Sequence, residues 1–168
     1  MFYVLPTTHD MQCAKEDSDS ECNEFKYTLN RLCKKLNIAC IVEEYNNDAA
    51  KENHCIEICC ISVANDLKID HVFCDPDREE RNNLGITDYR ELKIKQFMNN
   101  WTDKEFKDNL ARANHLREQF WLNVINNECA GYDDIIIVIG SDHEESFCEL
   151  LDENDEDYII LDDAKVNE

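Results

Sequence analysis

The sequence predicts an α/β fold: a single three-layer domain whose mostly parallel sheet has four or five strands, with helices on both faces. Short apolar runs of strand length alternate along the chain with longer stretches of helical periodicity. Several of the runs are continuously apolar, as expected of strands that are covered on both faces. A chain of 168 residues is long enough to bury the core of one such domain.

The strands are predicted by apolar runs that end abruptly in polar or turn-forming residues. They are 2–5, 38–42, 69–74, 134–139 and 158–161, of which 134–139 is the strongest. Asp75-Pro76-Asp77 ends the third strand, because a proline cannot donate a hydrogen bond to a sheet ladder. The order of strands and helices along the chain predicts right-handed crossovers between parallel strands.

The helices are predicted by apolar stripes and by capping residues. The first runs from about 21 to 36, and a second runs from about 49 to 67 after a cap at Asn46–Asp48. The segment 78–100 is weakly periodic and predicts two short helices separated by a loop at Gly85. A capping box at Thr102–Glu105 opens a long helix to about 127, and Ser141–Glu144 resembles a second capping box, before a helix to about 151. Residues 17–19 are acidic, and a polar tail begins at about 162.

The formal net charge of −21 restricts the partners that the chain can bind. Such a surface repels phosphates, so direct binding to nucleic acid is not expected. It attracts cations and basic proteins, and a basic protein partner is therefore one hypothesis. The alternative is that the charge serves solubility alone.

Ten cysteines raise the question of a disulfide framework. Most lie inside apolar patterns, such as Cys33, Cys40, Cys55, Cys59 and Cys60, where a reduced cysteine behaves as a small hydrophobe. The first ten residues do not resemble a signal peptide, and no apolar run approaches the ~20 residues that span a membrane. We expect a cytoplasmic protein that requires no disulfide and does not associate with a membrane.

Polar residues follow four of the predicted strands. They are His9 and Asp10; Glu43 and Glu44; Asp75 and Asp77; and Ser141, Asp142 and His143. The carboxyl ends of parallel strands meet at one edge of a sheet, which is where α/β proteins bind ligands. The sequence therefore predicts a site at this edge, formed by side chains that are distant along the chain.

The candidate catalytic residues are His143, His9, Glu43, Glu44 and Arg117, and the candidate metal ligands are His9, Glu43, His143, Asp75 and Asp77. Histidine can move protons or bind a metal, and carboxylates can act as bases or hard ligands. Neighbouring residues of an extended chain point in opposite directions, so only one of Glu43 and Glu44 is expected to face a given site.

Each candidate also has a purely structural interpretation. The histidines can be surface residues, and the glutamates can belong to an acidic loop. The segment from Asp75 to Asp77 can form a turn with local ion pairs, and Arg117 can be a solvated residue on a helix surface. Cys55 and Cys59, four residues apart, fit buried core positions better than a zinc site. With three glycines and neither a phosphate-binding loop nor a serine elbow, no nucleotide cofactor is expected.

The order of these motifs resembles a known superfamily. The matching segments are Thr8-His9, Glu43 or Glu44, Arg117-Glu118-Gln119-Phe120-Trp121, and Gly140-Ser141-Asp142-His143 followed by Phe147 and Leu150-Leu151. Together they resemble the group of TraB/PrgY-like, TIKI-like, ChaN-like and erythromycin-esterase-like proteins, over nearly the whole chain. The resemblance implies a hydrolase-like site that is metal-dependent in some branches. The chain departs from it in lacking the first glycine of the early histidine motif and in being shorter than most members; it also resembles small uncharacterised bacterial proteins.

Three functions follow as hypotheses. In the first, the chain is a hydrolase that acts on a small molecule or peptide, and water is activated either by His143 or by a divalent cation. Glu43 or Glu44 binds the cation or takes the proton, and Arg117 stabilises the negative charge that develops on the substrate. In the second, the chain is a non-catalytic acidic interaction protein. In the third, it is a metal-dependent phosphoesterase that uses Asp75 and Asp77. Clustering of the histidines with Arg117 favours the first, scattering favours the second, and a carboxylate cluster remote from His9 favours the third.

Overall fold

A computed structural model describes residues 1–15 and 20–161, so that the predicted acidic stretch at 17–19 and the polar tail from 162 lie outside the described residues. The elements in chain order are β1 (Phe2–Thr7), α1 (His9–Gln12), β2 (Cys13–Ala14), α2 (Ser20–Leu36), β3 (Cys40–Glu43), α3 (Asn47–Glu52), β4 (Glu57–Ile58), α4 (Cys59–Leu67), β5 (Asp70–Phe73), α5 (Arg78–Leu84), α6 (Tyr89–Asn99), α7 (Asp103–Glu128), β6 (Ile135–Gly140), a 3-10 turn (Ser141–His143), α8 (Glu144–Glu153) and β7 (Tyr158–Ile160).

The main sheet has five strands in the order β5-β3-β6-β1-β7, and every neighbouring pair is parallel. The predicted α/β class with a mostly parallel sheet is therefore confirmed. β6 lies at the centre, where all six of its residues are buried. This burial explains why the run at 135–139 is continuously apolar, because a central parallel strand must be apolar on both faces.

Helices cover both faces of the sheet, which confirms the three-layer arrangement. Alternate residues of β6 enter two separate cores: Ile136 and Val138 pack with α2 and α4, whereas Ile135, Ile137 and Ile139 pack with α7 and α8. A smaller cluster of Leu92, Phe106 and Ala113 joins α6 to α7. Within the described residues no helix is both long and apolar enough to cross a membrane.

The predicted helix at 49–67 is wrong, because the structure divides it into α3 and α4. The break follows Asn53, and His54 adopts a left-handed backbone with φ of 54°. The next residues form β4, which pairs antiparallel with β2. Only the second half of the predicted helix, from Cys59 to Leu67, is helical as a continuous segment.

The sequence predicts a chain that requires no disulfide, but the structure contains a disulfide bond between Cys13 and Cys55. The bond joins Cys13, the first residue of β2, to Cys55, which lies two residues before β4. The two cysteines are 42 residues apart in sequence. The sequence predicts that Cys55 lies in the buried face of one long helix. Because that helix is interrupted between α3 and α4, Cys55 lies in the intervening segment, where it bonds to Cys13. The other eight cysteines are buried, as their apolar surroundings predict.

The helix starts follow the predicted chemistry at two positions and not at a third. Asn46 caps α3, because its side chain accepts the backbone N–H of Ala49. Thr102 and Glu105 form the predicted capping box at the start of α7. Ser141 does not cap α8: its side chain makes no capping hydrogen bond, and the chain turns through the 3-10 segment before the helix begins. Asp77 instead forms an unforeseen capping box with Glu80 at the start of α5.

Candidate functional site

The carboxyl edge of the sheet gathers five polar side chains into one cluster. His9 follows β1, Glu44 follows β3, Asp75 follows β5 and His143 follows β6, while Arg117 reaches the same edge from α7. Four of these side chains come from loops after parallel strands, as the topology requires. We call these residues the edge cluster.

Glu44 lies at the centre of the edge cluster, and its side chain is completely buried. Its Oε1 accepts a hydrogen bond from Nη2 of Arg117 (2.8 Å), and its Oε2 accepts one from the backbone N–H of Gly140 (2.6 Å). A side chain at position 140 would be crowded, because a Cβ there would lie 3.1 Å from Oε2 of Glu44 and 3.4 Å from Nε2 of His9. The glycine at the end of β6 therefore makes room for the glutamate and the first histidine.

Arg117 links Glu44 to Asp75. Its Nε and Nη2 donate to Oδ1 of Asp75 (3.0 and 2.8 Å), which also accepts from Nε1 of Trp121 (3.1 Å). Oδ2 of Asp75 accepts from Asn46 (3.1 Å) and from Arg81. Burial alone would raise the pKa of Asp75, but Arg117 and Arg81 outweigh it and hold that pKa below its ordinary value. Burial lowers the pKa of Arg117, but Asp75 and Glu44 raise it above its usual range.

His143 is buried and has partners at both ring nitrogens. Nδ1 lies 2.7 Å from Oε1 of Glu118, and Nε2 lies 3.2 Å from Nη1 of Arg117. Because a guanidinium has only donors, Nε2 must accept and the ring proton must lie on Nδ1, which donates it to Glu118. The ring also packs edge-on against Trp121 at 4.8 Å. The side chain is only 7% exposed, so its basic nitrogen faces the cluster rather than solvent.

His9 is the accessible member of the cluster, with a side chain that is 55% exposed. Its Nδ1 donates to Oε1 of Gln12 (2.9 Å), a completely buried side chain at the end of α1. The basic nitrogen is therefore Nε2, which lies 3.8 Å from Oε1 of Glu44. Nε2 of His143 lies 3.6 Å from the same oxygen, so both imidazoles face one carboxylate.

Glu43 does not belong to the edge cluster. Its carboxylate is completely buried, and Oε2 contacts Nε2 of His71 on the neighbouring strand β5 (3.0 Å). Within β3, Glu43 alternates with Val42 and so faces the layer of α2 and α4, on the side of Ile41. Of the two glutamates left open by the sequence, the structure brings Glu44 to the histidines.

Asp75 and Asp77 do not form a carboxylate pair. Both oxygens of Asp75 are occupied by arginine, tryptophan and asparagine donors, and Asp77 accepts the N–H of Glu80 as the cap of α5. The aspartates therefore serve as an anchor for Arg117 and as a helix cap, respectively. This arrangement does not provide the ligand pair that the phosphoesterase hypothesis needs.

A divalent metal also fits the edge cluster poorly. His9, Glu44 and His143 present the right donor atoms, but Nε2 of His143 is already bound to the guanidinium of Arg117, whose positive charge would oppose a second cation. Across residues 1–15 and 20–161, no group of three or more His, Cys, Asp or Glu side chains is arranged to hold a metal ion. The residues as arranged therefore do not fit a metal centre.

Two residues that orient the histidines were missed by sequence reasoning. The burial of Glu118 could have been predicted from its spacing. It lies four residues before Leu122 and seven before Ile125, and therefore on the buried face of α7. A carboxylate on such a stripe needs a buried partner, which is His143. Gln12 carried no signal, because its burial depends on how the segment after β1 folds over the sheet.

No protein-family model, characterised protein or solved structure shows significant similarity to the chain.

Proposed function

We propose that the protein is a hydrolase whose edge cluster activates water for attack on an acyl group, with His9 as the general base. The single observation that carries the proposal is the convergence of two oriented imidazoles on one buried carboxylate, Glu44, at distances of 3.8 and 3.6 Å. Groups that position a histidine, fix its tautomer and balance the charge of its protonated form are the components of a general acid–base site.

His9 suits the role of base better than His143. Its side chain is 55% exposed, and its Nε2 is free to accept a proton, because Gln12 holds the proton of the neutral ring on Nδ1. Glu44 lies close enough to stabilise the imidazolium that forms. His143 faces inward, where it accepts from Arg117 and thereby fixes the guanidinium that holds Glu44. In this assignment His143, Glu118 and Arg117 are positioning residues, and His9 contacts the reacting water.

The reaction balances without a further reactant. Water gives a proton to Nε2 of His9 while its oxygen bonds to the carbonyl carbon of an ester or amide. The bond from that carbon to the leaving group then breaks, and the leaving group takes the proton back from His9. The product acid and the released alcohol or amine account for all atoms of water and substrate.

Charge selects the class of substrate. The chain carries a net charge of −21, so an anionic phosphoester would be repelled as it approaches. We therefore propose a neutral or cationic small molecule or peptide as the substrate. The same argument disfavours the phosphoesterase alternative.

The test is a panel of neutral, cationic and anionic chromogenic esters and amides, assayed with the wild-type chain and with His9→Ala. We expect hydrolysis of a neutral or cationic member, and a fall in kcat/KM of ~100- to 10,000-fold in the variant. Because His9 is open to solvent, added imidazole should restore part of the lost rate. A merely structural histidine would not respond in this way.

The matched control is His54→Asn, which removes an exposed histidine that makes no contact with the described residues of the edge cluster. Asparagine tolerates the left-handed backbone at that position, so the fold should be undisturbed. Chelator treatment should leave the rate unchanged, since the proposed step uses no metal. Absence of hydrolysis across the panel, or full activity in His9→Ala, would reject the assignment.

His143→Ala is a less discriminating test than the sequence alone had indicated. The sequence predicts loss of activity with little change in stability, but this ring is buried against Trp121 and satisfies Glu118. Removing it leaves a buried carboxylate without its partner, which typically costs ~1–3 kcal/mol or more. A loss of activity in that variant must therefore be normalised to the folded fraction.

An acidic interaction protein is the second candidate, because α6 has an exposed apolar face. Ile94, Phe97 and Met98 are 58%, 86% and 72% exposed, which is unusual for three neighbouring residues of one helix face. This role is compatible with a basic protein partner for the acidic remainder of the surface. A cytoplasmic location stays a prediction, which the buried thiols favour and the Cys13–Cys55 bond opposes.

A further inference from the structure

The Cys13–Cys55 disulfide lies where a dissolved thiol can reach it. All ten cysteines belong to the described part of the chain, and eight of them are buried free thiols. Cys55 instead is half-buried and lines a surface cavity of about 410 Å³, together with residues of β4 and α4. Cys55 is therefore the most accessible cysteine, and its sulfur is the one that a reducing thiol meets first.

The free thiols do not compete with the disulfide for such a reagent. Burial raises the pKa of Cys33 and of Cys59 to about 12, so that both stay protonated at neutral pH. They are poor nucleophiles, because the thiolate is the form of cysteine that reacts. A reductant added to the described chain therefore has one target, the bond between Cys13 and Cys55.

The disulfide is connected to His9 through the backbone. Cys13 follows directly on α1, the four-residue helix that begins at His9 and ends at Gln12. A single helical turn is not stable alone, and β2 contributes only Cys13 and Ala14 to its ladder with β4. The covalent bond to Cys55 therefore fixes one end of the segment in which Gln12 holds the Nδ1 proton of His9.

A second connection runs through the side chain of Tyr45, which follows Glu44 directly in the chain. The ring of Tyr45 lies beside the imidazole of His9, with 6.5 Å between the ring centroids. Its hydroxyl oxygen lies 3.2 Å from Sγ of Cys55 and accepts a hydrogen bond from Asn53 (3.0 Å). Because Tyr45 is buried between the two, a displacement of Cys55 changes the surface beside His9.

We propose that the Cys13–Cys55 disulfide is a redox switch for His9: the intact bond holds the imidazole in its oriented position, and reduction by a dithiol releases it. With the bond open, the ladder of two residue pairs between β2 and β4 is too short to hold this segment. His9 then loses its fixed position relative to Glu44, and the hydrolytic rate falls. The inference rests on the proposed function, because it concerns regulation of the residue assigned as the general base.

The exchange balances with the dithiol as the reductant. One thiolate of the dithiol bonds to Sγ of Cys55 while the S–S bond breaks, and Sγ of Cys13 leaves with the electron pair and takes up a proton. The second thiolate of the dithiol then displaces Sγ of Cys55, which is protonated in turn. The dithiol becomes a disulfide, and its two electrons and two protons pass to the two cysteines.

The first experiment follows the imidazole nitrogens of His9 by NMR in the full chain, before and after reduction with dithiothreitol. In the oxidised chain Gln12 keeps the neutral ring in the Nδ1–H tautomer. Reduction should release this constraint, so that the ring populates both tautomers, and oxidised dithiothreitol should restore the first spectrum. The signals of His71, which contacts Glu43 inside the main sheet, should not change.

The variant Cys13→Ser/Cys55→Ser reproduces the reduced state without a reagent. Its His9 signals should match those of the reduced wild type and should not respond to dithiothreitol. The matched control is Cys148→Ala, which removes the most exposed of the eight free thiols and keeps the disulfide. This control should respond to dithiothreitol as the wild type does.

Two results of the NMR experiment would overturn the switch. One is a His9 spectrum that is the same in the oxidised and the reduced wild type, with reduction verified by alkylation of the two released thiols. The other is an equal change at His71, which would show that reduction loosens the whole sheet rather than the segment of His9. Both results come from the wild-type chain, so they do not depend on the folding of the double variant.

Hydrolysis of the ester and amide panel gives a separate readout. At a temperature at which the reduced chain remains folded, kcat/KM should fall by about 10- to 100-fold on reduction and recover on reoxidation, because small displacements of a positioned group are costly in rate. Undiminished hydrolysis by the reduced chain would overturn the switch and leave the proposed function standing. A response of His9 to reduction without hydrolysis in either state would reject the proposed function but support the release of His9.

Discussion

At the scale of single residues, Arg117 is the side chain on which the edge cluster depends. One guanidinium binds Asp75 after β5, Glu44 after β3 and His143 after β6, and thus fixes three loops relative to one another. A buried charge of this kind is costly unless all its partners are present. Removing one partner should therefore lower the free energy of unfolding by more than the intact ion pair contributes to it, because the remaining charge is buried without a partner.

Asp75→Asn should lower the free energy of unfolding by ~3–5 kcal/mol at pH 7, because it leaves Arg117 and Arg81 without their shared carboxylate. The folded-state pKa of Asp75 is depressed below its ordinary 3.8. Its stabilising contribution is therefore present above about pH 3.8 and is lost as the pH falls through the lower, folded-state pKa. Urea unfolding at pH 7 and pH 3 should show the difference between wild type and variant shrinking at the lower pH.

The control for this pair of measurements is Asp66→Asn, an exposed residue of α4 whose substitution should change stability by less than about 0.5 kcal/mol at both pH values. A loss in Asp75→Asn that is equally large at pH 3 would mean that packing, rather than charge, accounts for its effect.

At the scale of elements, the short pair of strands β2 and β4 depends on the Cys13–Cys55 bond. Each strand has only two residues, too few for an isolated ladder to be stable. β2 follows directly on α1, which carries His9 and Gln12. The disulfide therefore also restrains the segment that presents the exposed histidine.

Reduction should lower the thermal midpoint by roughly 4–16 °C, since a disulfide that closes a loop of this length typically contributes ~2–4 kcal/mol. Thermal unfolding with and without a dithiol reductant measures this shift, and Cys13→Ser/Cys55→Ser should reproduce it and respond no further to reductant. Hydrogen exchange should quicken in β2 and β4 first. Identical midpoints in both conditions would restore the expectation of a chain that needs no disulfide.

At the scale of the whole molecule, charge is distributed unevenly. The chain carries −21, yet the segment from Arg78 to Arg112 contains basic and acidic residues in nearly equal number. This segment includes α6, whose Ile94, Phe97 and Met98 are exposed. Two copies of the chain repel each other everywhere except where such a neutral surface can face its own copy.

We expect concentration-dependent self-association through α6 that strengthens with added salt, because salt screens the repulsion while the apolar contact is retained. Light scattering across a salt series measures it, and Phe97→Asp should abolish it. Tyr27→Asp, which changes an exposed aromatic residue on α2, should not. A chain that stays monomeric at high salt, or associates equally in both variants, would contradict the α6 contact.

The sequence by itself determined the five strands of the main sheet, most helices and the edge at which the polar residues meet. These follow from local causes: continuous apolar runs, 3.6-residue periodicity and the common direction of parallel strands. Only the tertiary structure decided that Glu44 rather than Glu43 joins the histidines, because that choice depends on which face of β3 each residue occupies at the strand end. It also decided the pairing of His9 with Gln12, of His143 with Glu118 and of Cys13 with Cys55. Each of these pairs depends on where the backbone bends and on which segments pack together, and no local pattern encodes either.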